Sequence, residues 1–295
     1  MSKKHPVIAV TGSSGAGTTT VKRAFEHIFF REKINAAVIE GDSFHCLSRM
    51  EFKDAVKKAE AEGNMHFSHF GPQANHFAKL AELFKTYGET GGGKKRYYIH
   101  SDEEAAEHNK RLNSSLNPGE FTPWEDVPAG SDVLFYEGLH GLVKTDDVDV
   151  SKHVDLGIGV VPIVNLEWIQ KIHRDSAERG YSADVIVDTI LRRMPDYVNY
   201  ITPQFSRTDI NFQRVSTVDT SNPFITRDIP TPDESFIVIR FREPKGVDFP
   251  YLLNMIPNSF MSRRNTIVVP GAKMGFAMEL ILAPLIQDMI ANKNK

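Results

Sequence analysis

The stretch that decides the fold is "GSSGAGTTT", residues 12–20. It follows the apolar run "PVIAV" (6–10), which we interpret as a buried strand, and it precedes "VKRAFEHIFF" (21–30), which has the spacing of a helix. A glycine-rich turn between a strand and a helix is typical of the phosphate-binding loop G-x-x-x-x-G-K-[ST]. The position of the motif's lysine is occupied by Thr18. The sequence therefore predicts a phosphate loop without its own cation.

Most contacts of such a loop come from its backbone and do not need the lysine. The glycines let the chain turn sharply and approach an anion, and the N–H groups at the start of the helix hold phosphates. Thr19 stands at the motif's Mg²⁺-ligating position. The alternative is a glycine- and serine-rich turn that binds no ligand. The candidate nucleotide-binding residues are Gly12, Ser13, Ser14, Gly15, Ala16, Gly17, Thr18, Thr19 and Thr20.

The composition is that of an ordinary globular protein. The chain has 295 residues, of which 41% are hydrophobic and 25% charged, and its net charge is −3. This balance argues against non-specific nucleic-acid binding. The N-terminal apolar stretch is too short for a signal peptide, and no run reaches the roughly 18 apolar residues of a membrane span. We therefore expect a cytoplasmic protein with no membrane segment.

The single cysteine, Cys46, excludes an intramolecular disulfide. Its neighbour His45 suggests an activated nucleophile, but adjacency in sequence does not establish the geometry that such a pair requires. The other interpretation is a small thiol with no role in catalysis.

Apolar strand patterns alternate with helical patterns along the chain. This alternation predicts an α/β fold of the P-loop NTPase type, with a mixed, mostly parallel sheet flanked by helices on both faces. We expect one domain over 1–295, in which about 230–295 form a C-terminal strand and helix extension. The polar segment 88–120 is interpreted as a long surface insertion. The expected strands are 6–10, 35–42, 131–138, 154–164, 210–220, 235–241 and 265–271, and the expected helices are 17–32, 50–62, 73–87, 165–180, 182–194 and 275–291.

Two of the expected strands end in acidic residues. Asp42 closes "VIEGD" and Glu137 closes "VLFYEG". In open α/β sheets ligands bind beyond the carboxyl ends of the strands, so both acids should lie beside the phosphate loop. Asp42 is a candidate general base, a role typically worth about 10²–10⁴ in rate, and Glu137 is a candidate Mg²⁺ ligand. Either acid alone could instead be a helix cap or a solvated loop carboxylate.

Basic residues follow the first of these acids. His45 and Arg49 come three and seven positions after Asp42, on one face if a helix begins there. Arginine forks and histidine donors suit a phosphate group. Tyr98 and His100 stand at the end of the basic part of the insertion.

The helix expected at 165–180 carries a second basic group. Lys171, Arg174, Asp175 and Arg179 fall within about 140° of one face. The alternative is an exposed stripe of i,i+4 ion pairs. Clustered cations in a mildly acidic chain favour an anionic small molecule as ligand.

Longer strings resemble the bacterial phosphoribulokinase family over nearly the whole chain. They are "VTGSSGAGTTT", "EGDSFH", "FYEGLHG", "VVPIVNLEWIQKIHRD", "PQFSRTDINFQRV", "VDTSNPF" and "SFMSRRNTIVVPG". Members of this family transfer the γ-phosphoryl group of ATP to O1 of D-ribulose 5-phosphate, and the product is the CO₂ acceptor of the Calvin cycle. The resemblance implies ATP and Mg²⁺ as cofactors and D-ribulose 5-phosphate as the partner substrate.

The resemblance also implies roles for single residues. Asp42 matches the catalytic base, and Glu137 matches the second acid near Mg²⁺. The family itself lacks the loop lysine, and we hypothesise that Lys171 supplies that charge from its helix. The positions that match active-site cations are Lys171 and Arg174, and those that match sugar-phosphate contacts are His45, Arg49, Tyr98, His100 and Arg179.

Assembly and regulation follow from the same resemblance. Bacterial relatives form octamers and are often activated by NADH, so a homo-oligomer with an allosteric site is expected. The matching basic positions are Arg31, Arg240 and Arg263. Plant-type members are switched by a disulfide between two cysteines, which a chain with one cysteine excludes.

Two other functions remain open at this point. A uridine kinase-like nucleoside kinase would share the loop and the strand-end Asp42, but it would keep the loop lysine and have less need of Arg49 and Arg179. A nucleotide-binding regulator that senses NADH or AMP without turnover would not need a general base. An Asp42→Asn substitution separates an enzyme from a sensor.

Overall fold

One large sheet organises the structure, which is a computed structural model. It describes residues 4–12, 18–226 and 228–293, apart from the side chains of Thr18, Thr19, Glu178 and Arg179. The strands are β1 (Val7–Gly12), β2 (Ala36–Glu40), β3 (Lys94–Lys95), β4 (Glu125–Asp126), β5 (Val133–Gly138), β6 (Leu156–Val161), β7 (Ile210–Ser216), β8 (Ser235–Phe241), β9 (Phe260–Arg263) and β10 (Thr266–Pro270). The helices are α1 (Thr18–Glu32), α2 (Arg49–Ala61), α3 (Phe77–Thr90), α4 (Asp102–Leu112), α5 (Val164–Arg179), α6 (Ala183–Arg192), α7 (Met194–Asp196), α8 (Phe249–Met255) and α9 (Met274–Asn292).

The main sheet has a parallel half and an antiparallel half. Within the described residues its order is β2-β5-β1-β6-β7-β8-β10-β9. The strands from β2 to β7 in this order pair in parallel, and the pairs after β7 are antiparallel. The mixed, mostly parallel sheet predicted from the sequence is confirmed. Strands inside a parallel sheet are covered on both faces, which is why β1 reads as a continuous apolar run and is buried throughout.

Helices cover both faces of this sheet. On one face α1 and α9 pack over a core that includes Phe25, Phe135 and Ile239. On the other face α3 packs Leu80 and Phe84 against the remaining side chains of β1, β2 and β5. Successive side chains of a strand point to opposite faces, so each strand supplies both cores.

The last helix belongs to a long apolar segment. The segment Gly271–Asn292 has a hydropathy of 1.5 and, by length and composition alone, could cross a membrane. Its inward side chains, among them Met278, Ile281 and Leu282, are instead buried in the core beneath it. Because α9 packs against α1 and this core, it is the core helix of a globular fold.

The structure differs from the sequence interpretation in the polar insertion. Residues 88–120 contain the helix α4 as well as the short strand β3, which pairs with β4. Ser101 caps α4 by accepting a hydrogen bond from the Glu104 N–H, and acidic residues fill its first turn and basic residues its last. Both features stabilise a helix end. The helix escaped prediction because Ala105 is its one buried residue, so it lacks an apolar stripe.

Candidate active site

The ends of β2 and β5 lie side by side and in contact. Glu40 pairs in register with Glu137, and each strand then continues into a glycine. A Cβ atom on Gly41 would stand 2.8 Å from the Gly138 Cα atom and 2.6 Å from the Tyr136 hydroxyl oxygen. Only glycine lets the two turns approach this closely. The same contact places Asp42 and Glu137 at one edge of the sheet, as predicted.

Several carboxylates lie close together at this edge of the sheet. Burial raises the pKa of Glu137 to about 7, with the charges of Asp42 and Glu40 acting in the same direction. The Lys22 Nζ atom lies 3.0 Å from the Glu40 Oε1 atom and partly offsets this negative charge. A bound divalent cation would offset the remaining negative charge, so the charge distribution fits Mg²⁺ beside Glu137. Among the described residues, no three histidine, cysteine or acidic side chains form a ready-made metal cage.

Asp42 lies in the short 3₁₀ turn Gly41–Phe44 and faces His45. Its Oδ1 atom is 3.3 Å from the His45 Nε2 atom. Burial raises the pKa of Asp42, but the hydrogen bond with His45 and the positive charge of that ring lower it to about 2 overall. The carboxyl group is therefore ionised at neutral pH. With 46% of its side chain still exposed, it can reach a substrate.

His45 is held from its other side by a residue that sequence reasoning missed. Its Nδ1 atom lies 2.8 Å from the Asn75 Oδ1 atom, and both side chains are buried. Asn75 comes 30 residues after His45, so no local pattern links the two.

Arg96 fixes the backbone of the turn that carries both groups. Its Nε atom donates to the Ser43 carbonyl oxygen at 2.8 Å, and another of its nitrogens donates to the His45 carbonyl oxygen. The guanidinium lies between the rings of Phe121 and Trp124, 3.7 and 4.6 Å from their centroids. Burial lowers its pKa to about 10, which leaves it charged at neutral pH. The sequence analysis gave this arginine no role of its own. The aromatic residues that follow the insertion, Phe121 and Trp124, were the available signal.

His69 was also missed. Its ring stacks on Phe52 with the centroids 3.5 Å apart and lies 4.9 Å from the His45 ring. Burial, together with the charge of His45, lowers its pKa to about 3, so the ring is neutral. Its Nδ1 atom is buried without a hydrogen-bond partner within the described part of the chain. A neutral imidazole in this place can donate to or accept from a substrate hydroxyl.

Lys171 and Asp175 of the basic group on α5 are buried rather than exposed. Lys171 bonds Asp175, and their side chains are 7% and 4% exposed. Arg174 also donates to Asp175, at 2.9 and 3.0 Å. Burial lowers the pKa of Lys171 to about 8, and the charge of Arg193 acts in the same direction. The alternative of an exposed ion-pair stripe is therefore wrong for Lys171 and Asp175. The charge of Lys171 also lowers the pKa of His69, so the two side chains interact electrostatically.

Three other predicted sugar-phosphate contacts, Arg49, Tyr98 and His100, lie within the described residues. Arg49 begins α2 with an exposed side chain, and its N–H donates to the Gly119 carbonyl oxygen at 2.8 Å. The rings of Tyr98 and His100 pack edge to face at 4.9 Å, and the charge of His100 acts on Asp42. The end of the insertion thus returns to the site.

The phosphate loop itself lies largely outside the described residues. Ser13, Ser14, Gly15, Ala16 and Gly17 are not described, and neither are the side chains of Thr18, Thr19 and Arg179. Thr20 is exposed on α1.

The strand that enters the loop is firmly held. A Cβ atom on Gly12 would lie 2.8 Å from the Val160 carbonyl oxygen. The Thr11 hydroxyl is 3.0 Å from the buried Gln204 Oε1 atom, and Gln204 also donates to the Leu139 carbonyl oxygen. Gln204 therefore joins the end of β1 to the turn that follows β5.

The three arginines of the predicted effector site do not form one cluster within the chain. Arg31 ends α1 and pairs with Glu32 and Glu279. Arg240 and Arg263 both stand opposite Thr266 on neighbouring strands, so they share one face of the sheet. That face is opposite the one covered by α1 and α9, since the alternate residues Ile239 and Phe241 of the same strand belong to the core beneath those helices.

Cys46 does not have the environment of a nucleophile. Burial raises the pKa of its thiol, and its Sγ atom lies 3.4 Å from the His76 Nδ1 atom. A reactive cysteine needs a lowered pKa. The thiol is therefore an inert, half-buried group.

The comparisons with known proteins agree with this geometry. Residues 7–221 match the family model described as Phosphoribulokinase / Uridine kinase family. The chain is 60% identical over 295 residues to a phosphoribulokinase from Nitrobacter vulgaris, with both proteins covered completely. It is 57% identical over 293 residues to a probable phosphoribulokinase from Escherichia coli, with 99% of each covered.

A solved structure gives the same result. The phosphoribulokinase from Rhodobacter spheroides superimposes with a TM-score of 0.90 at 53% identity, and 100% of both chains is covered. The chain belongs to the phosphoribulokinase / uridine kinase family. It is a nucleotide-binding kinase.

Proposed function

We propose that this kinase transfers the γ-phosphoryl group of ATP to O1 of D-ribulose 5-phosphate and forms D-ribulose 1,5-bisphosphate. The single observation that carries the proposal is Asp42, a half-exposed carboxylate at the end of β2 that His45 holds from one side. The names of the most similar curated relatives support this choice of substrate. Basic residues near this acid, His45 in contact with it and Arg49 at the start of the next helix, suit a phosphorylated sugar.

In the proposed reaction the O1 oxygen of the sugar attacks the γ-phosphorus atom. The bond from that phosphorus to the β–γ bridging oxygen breaks, and ADP leaves with the bonding electrons. The proton of the O1 hydroxyl passes to Asp42. A carboxyl with a pKa of about 2 is a weak base, but the transition state of phosphoryl transfer is largely dissociative, so the proton moves late. Asp42 then acts mainly by orienting the hydroxyl.

The surrounding cations stabilise the charge on the transferred group. Lys171 and Arg174 are the proposed cations, and Lys171 takes the place of the missing loop lysine. The carboxylate of Glu137 and the hydroxyl of Thr19 would hold Mg²⁺, which supplies charge neutralisation on the phosphates. The proposed sugar-phosphate contacts are His45, Arg49, Tyr98, His100 and Arg179.

Assembly, regulation and location complete the proposal. We infer a cytoplasmic homo-oligomer, with an octamer as the leading candidate, that NADH activates through Arg31, Arg240 and Arg263. These three arginines lie on two sides of the sheet in one chain. A joint site would therefore need a neighbouring subunit to bring them together. The single domain over 1–295 is part of the same proposal.

An ADP-release assay tests the substrate. Mg-ATP is supplied with D-ribulose 5-phosphate, with other pentose phosphates or with uridine, in the presence and absence of NADH. Selective turnover of ribulose 5-phosphate is the expected result, and a higher rate with NADH supports the effector site. Turnover of uridine would favour the nucleoside kinase, and no turnover of any acceptor would favour a nucleotide-sensing regulator.

A further inference from the structure

The orientation of the Asn75 amide is fixed by two main-chain groups. Its Nδ2 atom lies 2.8 Å from the His69 carbonyl oxygen and 2.7 Å from the Gly71 carbonyl oxygen. A carbonyl oxygen can only accept, so both amide hydrogens are used there. The Oδ1 atom therefore faces His45 as an acceptor. With 7% of the residue exposed, water does not compete for it.

This orientation determines which nitrogen of His45 carries a hydrogen. The Nδ1 atom, 2.8 Å from the Asn75 Oδ1 atom, has to be the donor. In a neutral ring the Nε2 atom would then present its lone pair to the Asp42 carboxylate, 3.3 Å away. Two acceptors would face each other. Only a doubly protonated ring donates in both directions, to Asn75 and to Asp42.

The charged groups around His45 are compatible with this state. Burial lowers the pKa of His45 and Arg96 opposes its charge, but Asp42 and Asn75 raise the pKa above its usual value overall. The neighbouring rings of His69 and His140 stay neutral, because burial lowers the pKa of each to about 3. His45 is thus the ring that carries the positive charge.

We propose that Asn75 is a positioning residue that holds His45 as a cation and, through it, holds the carboxylate of Asp42. The oxygen bonded to His45 is fixed, and the second oxygen is left for the substrate hydroxyl. The same cation adds positive charge beside the sugar phosphate. This inference rests on the roles proposed above for Asp42 and His45.

The test compares Asn75→Asp with Asn75→Leu, two substitutions of similar size. Both lose the two hydrogen bonds to the carbonyl oxygens of His69 and Gly71. They differ at His45: an aspartate accepts more strongly than an amide, and a leucine does not accept. In a plot of kcat against pH, the alkaline limb marks the loss of a proton from His45. This limb should move by about one pH unit, to higher pH for Asn75→Asp and to lower pH for Asn75→Leu.

Two controls assign the limb and exclude general damage. In a His45→Gln background the alkaline limb caused by His45 should disappear, and the Asn75 substitutions should no longer shift the pH profile, because they act through His45. Asn211 is a matched buried asparagine, whose Oδ1 atom accepts from Thr208 and whose amide donates to the Phe205 carbonyl oxygen. Asn211→Leu should lower Tm without moving the limb.

Shifts in the same direction, or no shift in either variant, would overturn the inference. If a variant turns over too slowly, the pH dependence of ribulose 5-phosphate binding, measured by calorimetry, reports the same limb. Asp42→Asn separates this inference from the proposed function. Unchanged kcat in that variant would remove the general-base role itself, whereas a large loss combined with unmoved Asn75 profiles would remove only the role of Asn75.

Discussion

The two halves of the sheet carry different kinds of polar residue at their edges. In the parallel half, β2 and β5 end together and their acids lie in one place, where burial and mutual repulsion shift the pKa of Glu137 to about 7. In the antiparallel half, Arg240 and Arg263 are exposed. Parallel strands bring all their carboxyl ends to one edge, whereas antiparallel strands divide theirs between two edges. The proposed catalytic residues belong to the parallel half, so substitutions there should have the larger effects.

The largest effect is expected for Asp42→Asn. The amide cannot take the hydroxyl proton and no longer attracts His45, so kcat should fall by about 10²–10⁴. ATP binding, measured by calorimetry, should change little. A kcat within tenfold of the parent would contradict the assignment of Asp42 as the base.

Lys171→Met should have the next largest effect. It keeps the length of the side chain but removes the charge proposed to replace the loop lysine. We expect kcat to fall by about 10²–10³, more than KM for ATP changes. Steady-state kinetics with Lys94→Met, which replaces an exposed lysine of β3, provide the matched control. Near-normal kcat in the Lys171 variant would mean that another group supplies the charge.

Arg96→Leu tests a residue that holds the turn without touching the reacting atoms. It removes two hydrogen bonds, to the carbonyl oxygens of Ser43 and His45. We expect kcat to fall by about tenfold, since small misplacements of a base are costly, together with a lower Tm. If kcat were unchanged and only Tm fell, Arg96 would be a purely structural residue.

Glu137→Gln should change stability in a pH-dependent way in metal-free buffer. The pKa of Glu137 is raised to about 7 in the folded chain, so the glutamate contributes stability below about pH 4 and loses that contribution as pH rises through 7. A glutamine does not ionise, so its contribution to stability does not fall as the pH rises. Its Tm advantage over the parent should therefore be larger at pH 8 than at pH 5, and an equal difference at both values would show that Glu137 titrates normally.

The smallest effect on basal turnover is expected in the antiparallel half. Arg240→Gln leaves the strand-end acids untouched, so the rate without NADH should stay within about twofold of the parent. Stimulation by NADH should be reduced. A loss of basal turnover as large as that of Arg96→Leu would show that the two halves do not divide the work in this way.

Features that depend on local sequence could be predicted, and contacts between distant segments could not. The apolar run of β1 and the acids that close β2 and β5 are readable because strands buried on both faces have continuous apolar patterns. Arg96 reaches a carbonyl oxygen 53 residues away, and Asn75 reaches a ring 30 residues away. Neither residue belongs to a spaced motif, so only the folded chain reveals them.

The insertion shows a second limit of sequence reasoning. Helix α4 is exposed to solvent on nearly every side. The capping and charged residues that mark its ends were not recognised, because the composition of the segment is typical of loops. The ion pair of Lys171 and Asp175 could be predicted from the sequence, but its burial could not. Its i,i+4 spacing is the same in an exposed stripe and in a covered site, and only packing separates the two.

The account's central claim is that the acids of the parallel half direct phosphate to O1 of a pentose phosphate. Phosphorus NMR of the product from Mg-ATP and D-ribulose 5-phosphate, with uridine present as a competitor, tests it most directly. The account predicts one new phosphomonoester, coupled to the hydrogens on C1 of the sugar, and unreacted uridine. Phosphate on uridine, or at another position of the sugar, would contradict it.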